Sequence, residues 1–205
     1  MPAITDPLLF PVPSVFETPR LRLRTFQSED ALALFNALTE SAAQLQQFLW
    51  FLPWVAEKMT LNAAEIRCRK AEANFLLRTD LAYLVFDKSS GRIVGSVGLH
   101  RTDWSLPKTE VGYWLRTSAT GNGYASEAIS ALVSWALNEL GAQRVELVTD
   151  EHNLASRRVA DRCGFTLEGT LRNVMKAPDG SLRHSCVYAK LRIVDESAPT
   201  HGAKA

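Results

Sequence analysis

The stretch Glu110-Val-Gly-Tyr-Trp-Leu115, followed by Arg116-Thr-Ser-Ala-Thr120 and then Gly121-Asn-Gly-Tyr-Ala-Ser-Glu-Ala128, constrains this chain more than any other. It spells a strand, a turn and a glycine-punctuated start to a helix. A helix start leaves backbone N–H groups unpaired and carries positive partial charge, and a phosphate satisfies both. Gly121 and Gly123 have no Cβ, so the backbone there can take a positive φ or come close to a diphosphate. The feature therefore points to an α/β fold and to a nucleotide-like cofactor.

The helix after the glycines has the clearest period in the chain. Ile129, Leu132, Val133, Ala136 and Leu140 share one stripe, Glu127, Ser130, Ser134 and Asn138 share the other, and Gly141 suits its end. Upstream, Arg20 to Phe26 alternates as a half-buried strand does. Ser28-Glu-Asp starts a helix with Leu32, Phe35 and Leu38 as its apolar stripe, and a second helix is expected from Asn62 to Phe75. Between these helices lies the aromatic connector Phe48 to Trp54. A hairpin follows, Leu81–Phe86 and Arg92–Leu99 around Lys88–Gly91, then a strand from Thr109 to Leu115. Beyond the glycine helix come a strand at Arg144–Asp150, a short helix capped by Asn153 and ending at Gly164, a strand at Phe165–Gly169, and a last strand at Cys186–Leu191. The order β-α-α-β-β-β-α-β-α-β-β mixes hairpins with crossover helices and predicts a mixed sheet. At 205 residues one domain is expected, from 16 to 194. Residues 1–15, which hold four of the nine prolines, read as an extension, and 195–205 as a flexible tail.

With 23 basic against 22 acidic side chains, no whole-protein field for nucleic acid or a membrane surface is expected. No apolar run spans a bilayer, and the N-terminus lacks the layout of a secretory leader, which implies a cytoplasmic location. Cys68, Cys163 and Cys186 are scattered and read as buried apolar residues of a reduced protein. No His/Cys/Asp cluster has metal-ligand spacing, so no metal is expected.

Two familiar phosphate motifs fail here. A P-loop needs Lys-Ser or Lys-Thr after its second glycine, where this chain has Tyr124-Ala125. A dinucleotide fingerprint needs a third glycine, where Ser126 stands. The remaining pattern, Gln/Arg-x-x-Gly-x-Gly/Ala, is matched as Thr120-Gly-Asn-Gly123-Tyr-Ala125, departing at its first residue. With Glu110–Leu115 before it, this segment resembles the coenzyme A-binding segment of the GNAT acetyltransferases, and specifically the RimJ/RimL-type branch that acetylates ribosomal-protein N-termini. Thr18-Pro-Arg-Leu-Arg-Leu-Arg, the Leu52-Pro-Trp54 loop, and Asn153-Leu-Ala-Ser156 followed by Gly164-Phe165 resemble further signatures of that branch. The resemblance runs from Phe16 to Arg192.

It implies the GNAT fold: one domain with a splayed, mostly antiparallel twisted sheet flanked by helices, opening between Thr109–Leu115 and Arg144–Asp150. It implies acetyl-CoA as cosubstrate and direct transfer to an amine in a ternary complex. The acceptor would be a protein or peptide N-terminus; a small-molecule amine, or a non-catalytic acyl-CoA-binding module, are the alternatives, and a homodimer is left open. Tyr113, Trp114 and Leu115 would lie along the pantetheine arm, and Thr120, Gly121, Asn122, Gly123, Tyr124, Ala125 and Ser126 around the diphosphate. Such a transfer needs a proton acceptor for the ammonium, a donor for the thioester oxygen and an acid for the thiolate. Glu110 is the candidate base and acceptor-site residue; its plain alternative is a surface ion pair. Ser156 is the candidate acid and cofactor contact, and its alternative is a hydroxyl bonding the first helical turn. Asn153 combines a helix cap with a pantetheine contact. Trp50 and Trp54 are candidate acceptor-binding residues, equally readable as core. His100 and His152 lack a carboxylate at a convincing spacing and read as structural or surface residues.

Overall fold

The computed structural model describes residues 6–106 and 108–193. Eight strands form one sheet: β1 (Val15–Glu17), β2 (Leu21–Thr25), β3 (Leu81–Asp87), β4 (Ile93–Asp103), β5 (Lys108–Leu115), β6 (Arg144–Asp150), β7 (Thr166–Lys176) and β8 (Leu182–Leu191). Their order is β1-β2-β3-β4-β5-β6-β8-β7. Five α-helices flank it: α1 (Ala31–Leu49), α2 (Pro53–Ala56), α3 (Leu61–Leu76), α4 (Tyr124–Asn138) and α5 (Leu154–Arg162). Neighbouring strands are antiparallel except β5 and β6, which α4 joins as a parallel crossover. The sheet is mixed, as the element order predicts.

The parallel pair is short. It matches Lys108 with Arg144, Thr109 with Val145 and Glu110 with Glu146, and goes no further. From Val111 onward the two strands part, leaving an opening in the middle of the sheet where the expected splay lies.

Two cores cover the two sheet faces. Ile129, Leu132, Val133 and Ala136 of α4 pack with Leu21, Leu23, Val97, Val111, Val145 and Leu147 on one face. Each large aliphatic buried this way contributes about 1.5–3 kcal/mol. Leu34, Leu38 and Leu45 of α1 pack with Cys68, Leu84, Ile93 and Trp114 on the other. All three cysteines are free and buried.

Three expectations shift. The buried stripe of α1 is Ala31, Leu34, Ala37, Leu38, Ser41 and Leu45, while Leu32 is 60% exposed. The helix is rotated by the i, i+4 pair Leu34–Leu38 and by Ser41, whose hydroxyl donates to the Ala37 carbonyl at 2.8 Å and so buries without penalty. β7 runs to Lys176, well past Gly169, although nearly all its side chains are exposed; with no face buried it has no alternation to read. β1 adds an edge strand before the expected first strand. The Phe10 ring, ahead of it, meets Trp104 and Trp135 at 6.2 and 6.4 Å. The expected tail lies outside the described residues, as do residues 1–5.

Candidate active site

The glycine loop between β5 and α4 has the conformation its sequence demands. Gly121 and Gly123 have φ of +81° and +77°, and Gly123 caps α4. A Cβ at Gly121 would meet nothing within 4 Å, and one at Gly123 only Arg20 Nη2 at 3.5 Å. Glycine is thus required for the left-handed backbone, and open space surrounds it. Among the described residues, no backbone N–H from Gly121 to Ser126 donates to the protein. The side chains brace the loop from within: Thr120 Oγ1 donates to the Thr117 carbonyl at 2.9 Å, and Asn122 Nδ2 to the carbonyls of Ala119 and Thr120 at 3.3 and 3.2 Å. A run of free donors at the start of a 15-residue helix fits the diphosphate of coenzyme A.

Two clamps hold this loop. In the first turn of α4, Glu127 accepts from Thr18 Oγ1 at 2.6 Å, the Arg20 N–H at 2.9 Å and Arg20 Nε at 2.7 Å. Arg20 also donates from Nη1 to the Asn122 carbonyl at 2.9 Å and lies over the Tyr124 ring. Burial pushes the Glu127 pKa up, but these hydrogen bonds and the Arg20 charge outweigh it and hold the carboxyl below its usual value. The second clamp comes from α1. Glu40 accepts from Arg116 and from the Ser118 N–H, and Ser41 Oγ accepts from the Thr117 N–H at 3.0 Å. Neither clamp was read from the sequence. The Thr18-Pro-Arg motif carries the signal for the first, but its partner lies 107 residues away.

β5 presents different residues to each side of the splay. Val111 packs on the α4 face with Tyr113 and Leu115 against it, whereas Glu110, Gly112 and Trp114 face α1 and α3. The Trp114 side chain is buried away from the glycine loop, so only its backbone lines the opening. Burial pushes the Tyr113 phenol pKa up to about 12. Asn153 caps α5, its Oδ1 accepting from the Ser156 N–H at 3.1 Å, and Ser156 itself is buried. Tyr113 packs on the α4 side of the sheet, as do Val159 and Ala160 of the helix that carries Ser156.

The other side gathers the remaining candidates. Glu110, 17% exposed at its side chain, is ion-paired with Arg101, and Arg101 Nε donates to it at 3.0 Å. Arg101 sits at φ +52° where β4 bulges between His100 and Asp103. The ion pair of the plain reading is present, and Glu110 stands at the last paired position of β5 before the strands part. His100 corrects the sequence reading. It has a carboxylate partner, Asp80, at its Nδ1, supplied by the turn before β3 and not by its own neighbourhood. His152 is exposed, as expected, with Glu151 at 3.5 Å. Trp54 packs 6.3 Å from Trp114 and under the Arg67 guanidinium at 4.0 Å, partly buried against the core on that face. Trp50 meets Phe51 edge to face at 5.9 Å and lies beneath Arg183 of β8 at 5.5 Å, linking the end of α1 to β8. No group of three or more His, Cys, Asp or Glu that could hold a metal occurs among the described residues, and no helix there is long and apolar enough to cross a membrane.

Comparison with known proteins agrees with this geometry. A family model described as "Acetyltransferase (GNAT) domain" matches residues 20–166. The chain is 26% identical to the uncharacterized N-acetyltransferase YoaA of Bacillus subtilis over 82% of its own length and 89% of that protein. It is 30% identical to the ribosomal-protein-serine acetyltransferase of Escherichia coli over 44% of this chain and 49% of that one. The fold matches the RimL ribosomal L7/L12 alpha-N-protein acetyltransferase solved with coenzyme A, with TM-score 0.79 and 22% identity, covering 86% of this chain and 97% of that one. The unpaired donors of the glycine loop, the splay beside it and the family match agree: the chain belongs to the GNAT family of acetyl-CoA-dependent N-acetyltransferases and resembles its RimJ/RimL-type branch.

Proposed function

We propose that the chain acetylates the N-terminal α-amine of a protein or peptide by direct transfer within a ternary complex. The observation that carries this reading is the early end of the β5–β6 pairing at Glu110 and Glu146. It leaves the β5 edge from Val111 to Leu115 free to lie along an extended substrate, next to the unpaired N–H groups of residues 121–126. Acetyl-CoA supplies the activated acetyl group. The glycine loop holds its diphosphate, and β5 lines its pantetheine arm. Ser156, positioned by the Asn153 cap, donates toward the sulfur. Glu110 attracts the incoming ammonium on the opposite side and assists its deprotonation. Trp50 and Trp54 form the acceptor wall. The names of the relatives, which include a ribosomal-protein-serine acetyltransferase, support a protein acceptor.

A screen of peptides with free N-termini against small amines, read by release of the coenzyme A thiol, tests the reading. Turnover with peptides and little with amino acids or polyamines is expected. Turnover confined to small amines would replace the protein acceptor with a small-molecule one.

A further inference from the structure

We propose that His100, oriented by Asp80, is the group that takes the proton from the acceptor ammonium. The proposal rests on the acetyl-transfer reading and gives the proton-accepting role, which that reading has Glu110 assist, to a second side chain.

His100 is directly opposite Glu110 in the β4–β5 ladder, so the two side chains share the acceptor face at the last residue before the strands part. The imidazole does not point away from the sheet. It lies across two glycines, with Nε2 2.9 Å from where a Cβ on Gly112 would stand and 3.1 Å from one on Gly98. Any side chain at Gly112 would displace the ring, which gives Gly112, within the strand motif Glu110–Leu115, a physical purpose. The ring is held in place from its other end. A carboxylate can only accept, so the contact between Asp80 and His100 Nδ1 fixes the proton on Nδ1 and leaves Nε2 with a free lone pair. Nε2 has no hydrogen-bond partner among the described residues, and the side chain is 33% exposed.

The charged groups around the ring are Asp80 on Nδ1, Glu110 of β5 with Arg101 of the β4 bulge, Glu146 across the parallel pair, and Arg67 of α3, which feels the Asp80 charge. Glu110 is already engaged by Arg101, whereas His100 Nε2 is free. The division of labour follows. Glu110 attracts the ammonium and His100 removes one proton, becoming an imidazolium that Asp80 stabilises. The neutral amine then attacks the thioester carbon. The C–N bond forms as the C–S bond breaks, and the second amine proton reaches the departing sulfur through Ser156. His100 releases its proton to solvent, which balances one ammonium and one thioester against one amide, one thiol and one proton. His100 would be a catalytic residue and Asp80 a positioning residue.

The test uses a peptide with a free N-terminal serine and its aminooxy counterpart, whose amine is neutral at assay pH and needs no deprotonation before attack. His100→Gln should lower turnover on the serine peptide about 100-fold, the low end of general-base effects. It should leave acetyl-CoA affinity unchanged and cost little on the aminooxy peptide. Asp80→Asn should show the same selectivity in weaker form. Gly112→Ala, which keeps the imidazole but displaces it, should resemble His100→Gln. Independently of turnover, nitrogen NMR of the imidazole in the free protein should show the Nδ1–H tautomer. Equal losses on both peptides, or an Nε2–H tautomer, would overturn the proposal while leaving acetyl transfer intact. Wild-type protein that binds acetyl-CoA but releases no thiol with either peptide would overturn the transfer reading and the dyad with it.

Discussion

Arg116, the first residue beyond β5, donates from Nε to Glu40 of α1 at 2.5 Å, tying the acceptor-side helix to the start of the cofactor loop. The hydroxyl and backbone N–H of Ser118 reach the same carboxylate, and together with Arg116 they outweigh its desolvation and hold its pKa at about 2 against an ordinary 4.5. A carboxyl whose pKa falls on folding stabilises the fold above its unfolded pKa and loses that contribution as pH drops through the folded one. Glu40→Gln should therefore destabilise the protein at neutral pH, and the difference from wild type should shrink between pH 4.5 and about 2. Because the side chain is 32% exposed, solvent screening reduces the effect to about 1 kcal/mol. Urea unfolding at several pH values checks both sign and window.

The glycine loop makes a second prediction. Gly123 stands at φ +77° in open space, so alanine there meets a backbone penalty of about 1–2 kcal/mol and no collision. Gly123→Ala should weaken acetyl-CoA binding about tenfold, the equivalent of roughly 1.4 kcal/mol. Thr120→Ala removes only a bond to the Thr117 carbonyl and should change affinity by less than about threefold. Calorimetric titration of acetyl-CoA separates the two variants. Equal losses would mean that the loop binds through its side chains and not its N–H groups.

Asn153 and Ser156 divide stability from chemistry. Asn153→Ala deletes the cap of α5 and should cost about 1 kcal/mol in thermal unfolding, with a fall in turnover because the Ser156 turn frays. Ser156→Ala keeps the cap, since Asn153 bonds the backbone N–H, and should lower kcat with little change in Tm. A Ser156→Ala enzyme of normal turnover would remove the hydroxyl from the mechanism.

The Arg101–Glu110 pair bears on how the amine is drawn in. Arg101→Gly fits the left-handed backbone and removes the guanidinium, so stability should hold while KM for the amine falls about threefold, within the scale of an exposed ion pair. Steady-state kinetics at varied peptide concentration measures it. A loss of kcat/KM as large as that of Glu110→Gln would mean that Arg101 positions the carboxylate instead of competing for it.

What could be read before the structure follows from range. The stripe of α4, the Asn153 cap and the positive-φ glycines depend on residues within a turn or two of one another, and each lies where its pattern places it. The opening between β5 and β6 was expected only through the resemblance, since no local pattern encodes where a parallel ladder stops. The Asp80–His100 contact joins residues 20 apart across a β3–β4 hairpin, and the clamp on Glu127 joins residues more than 100 apart. Such pairs exist only once the sheet has formed, and one sequence carries no trace of them. β7 escaped for the opposite reason, because a strand exposed on both faces has no apolar alternation.

Acetyl transfer to an N-terminal amine is expected at the opening beside Glu110. Its most direct test measures thiol release and the site of acetylation on a serine-terminated peptide at saturating acetyl-CoA, for wild type and Glu110→Gln, alongside the acetyl-CoA Kd of each. One thiol per acetylated α-amine is expected, with kcat/KM for the peptide about tenfold lower in Glu110→Gln, the roughly 1.4 kcal/mol of a lost charge contact to the ammonium, at unchanged acetyl-CoA Kd. Equal kcat/KM for the two proteins, or a peptide whose α-amine stays unmodified, would contradict it.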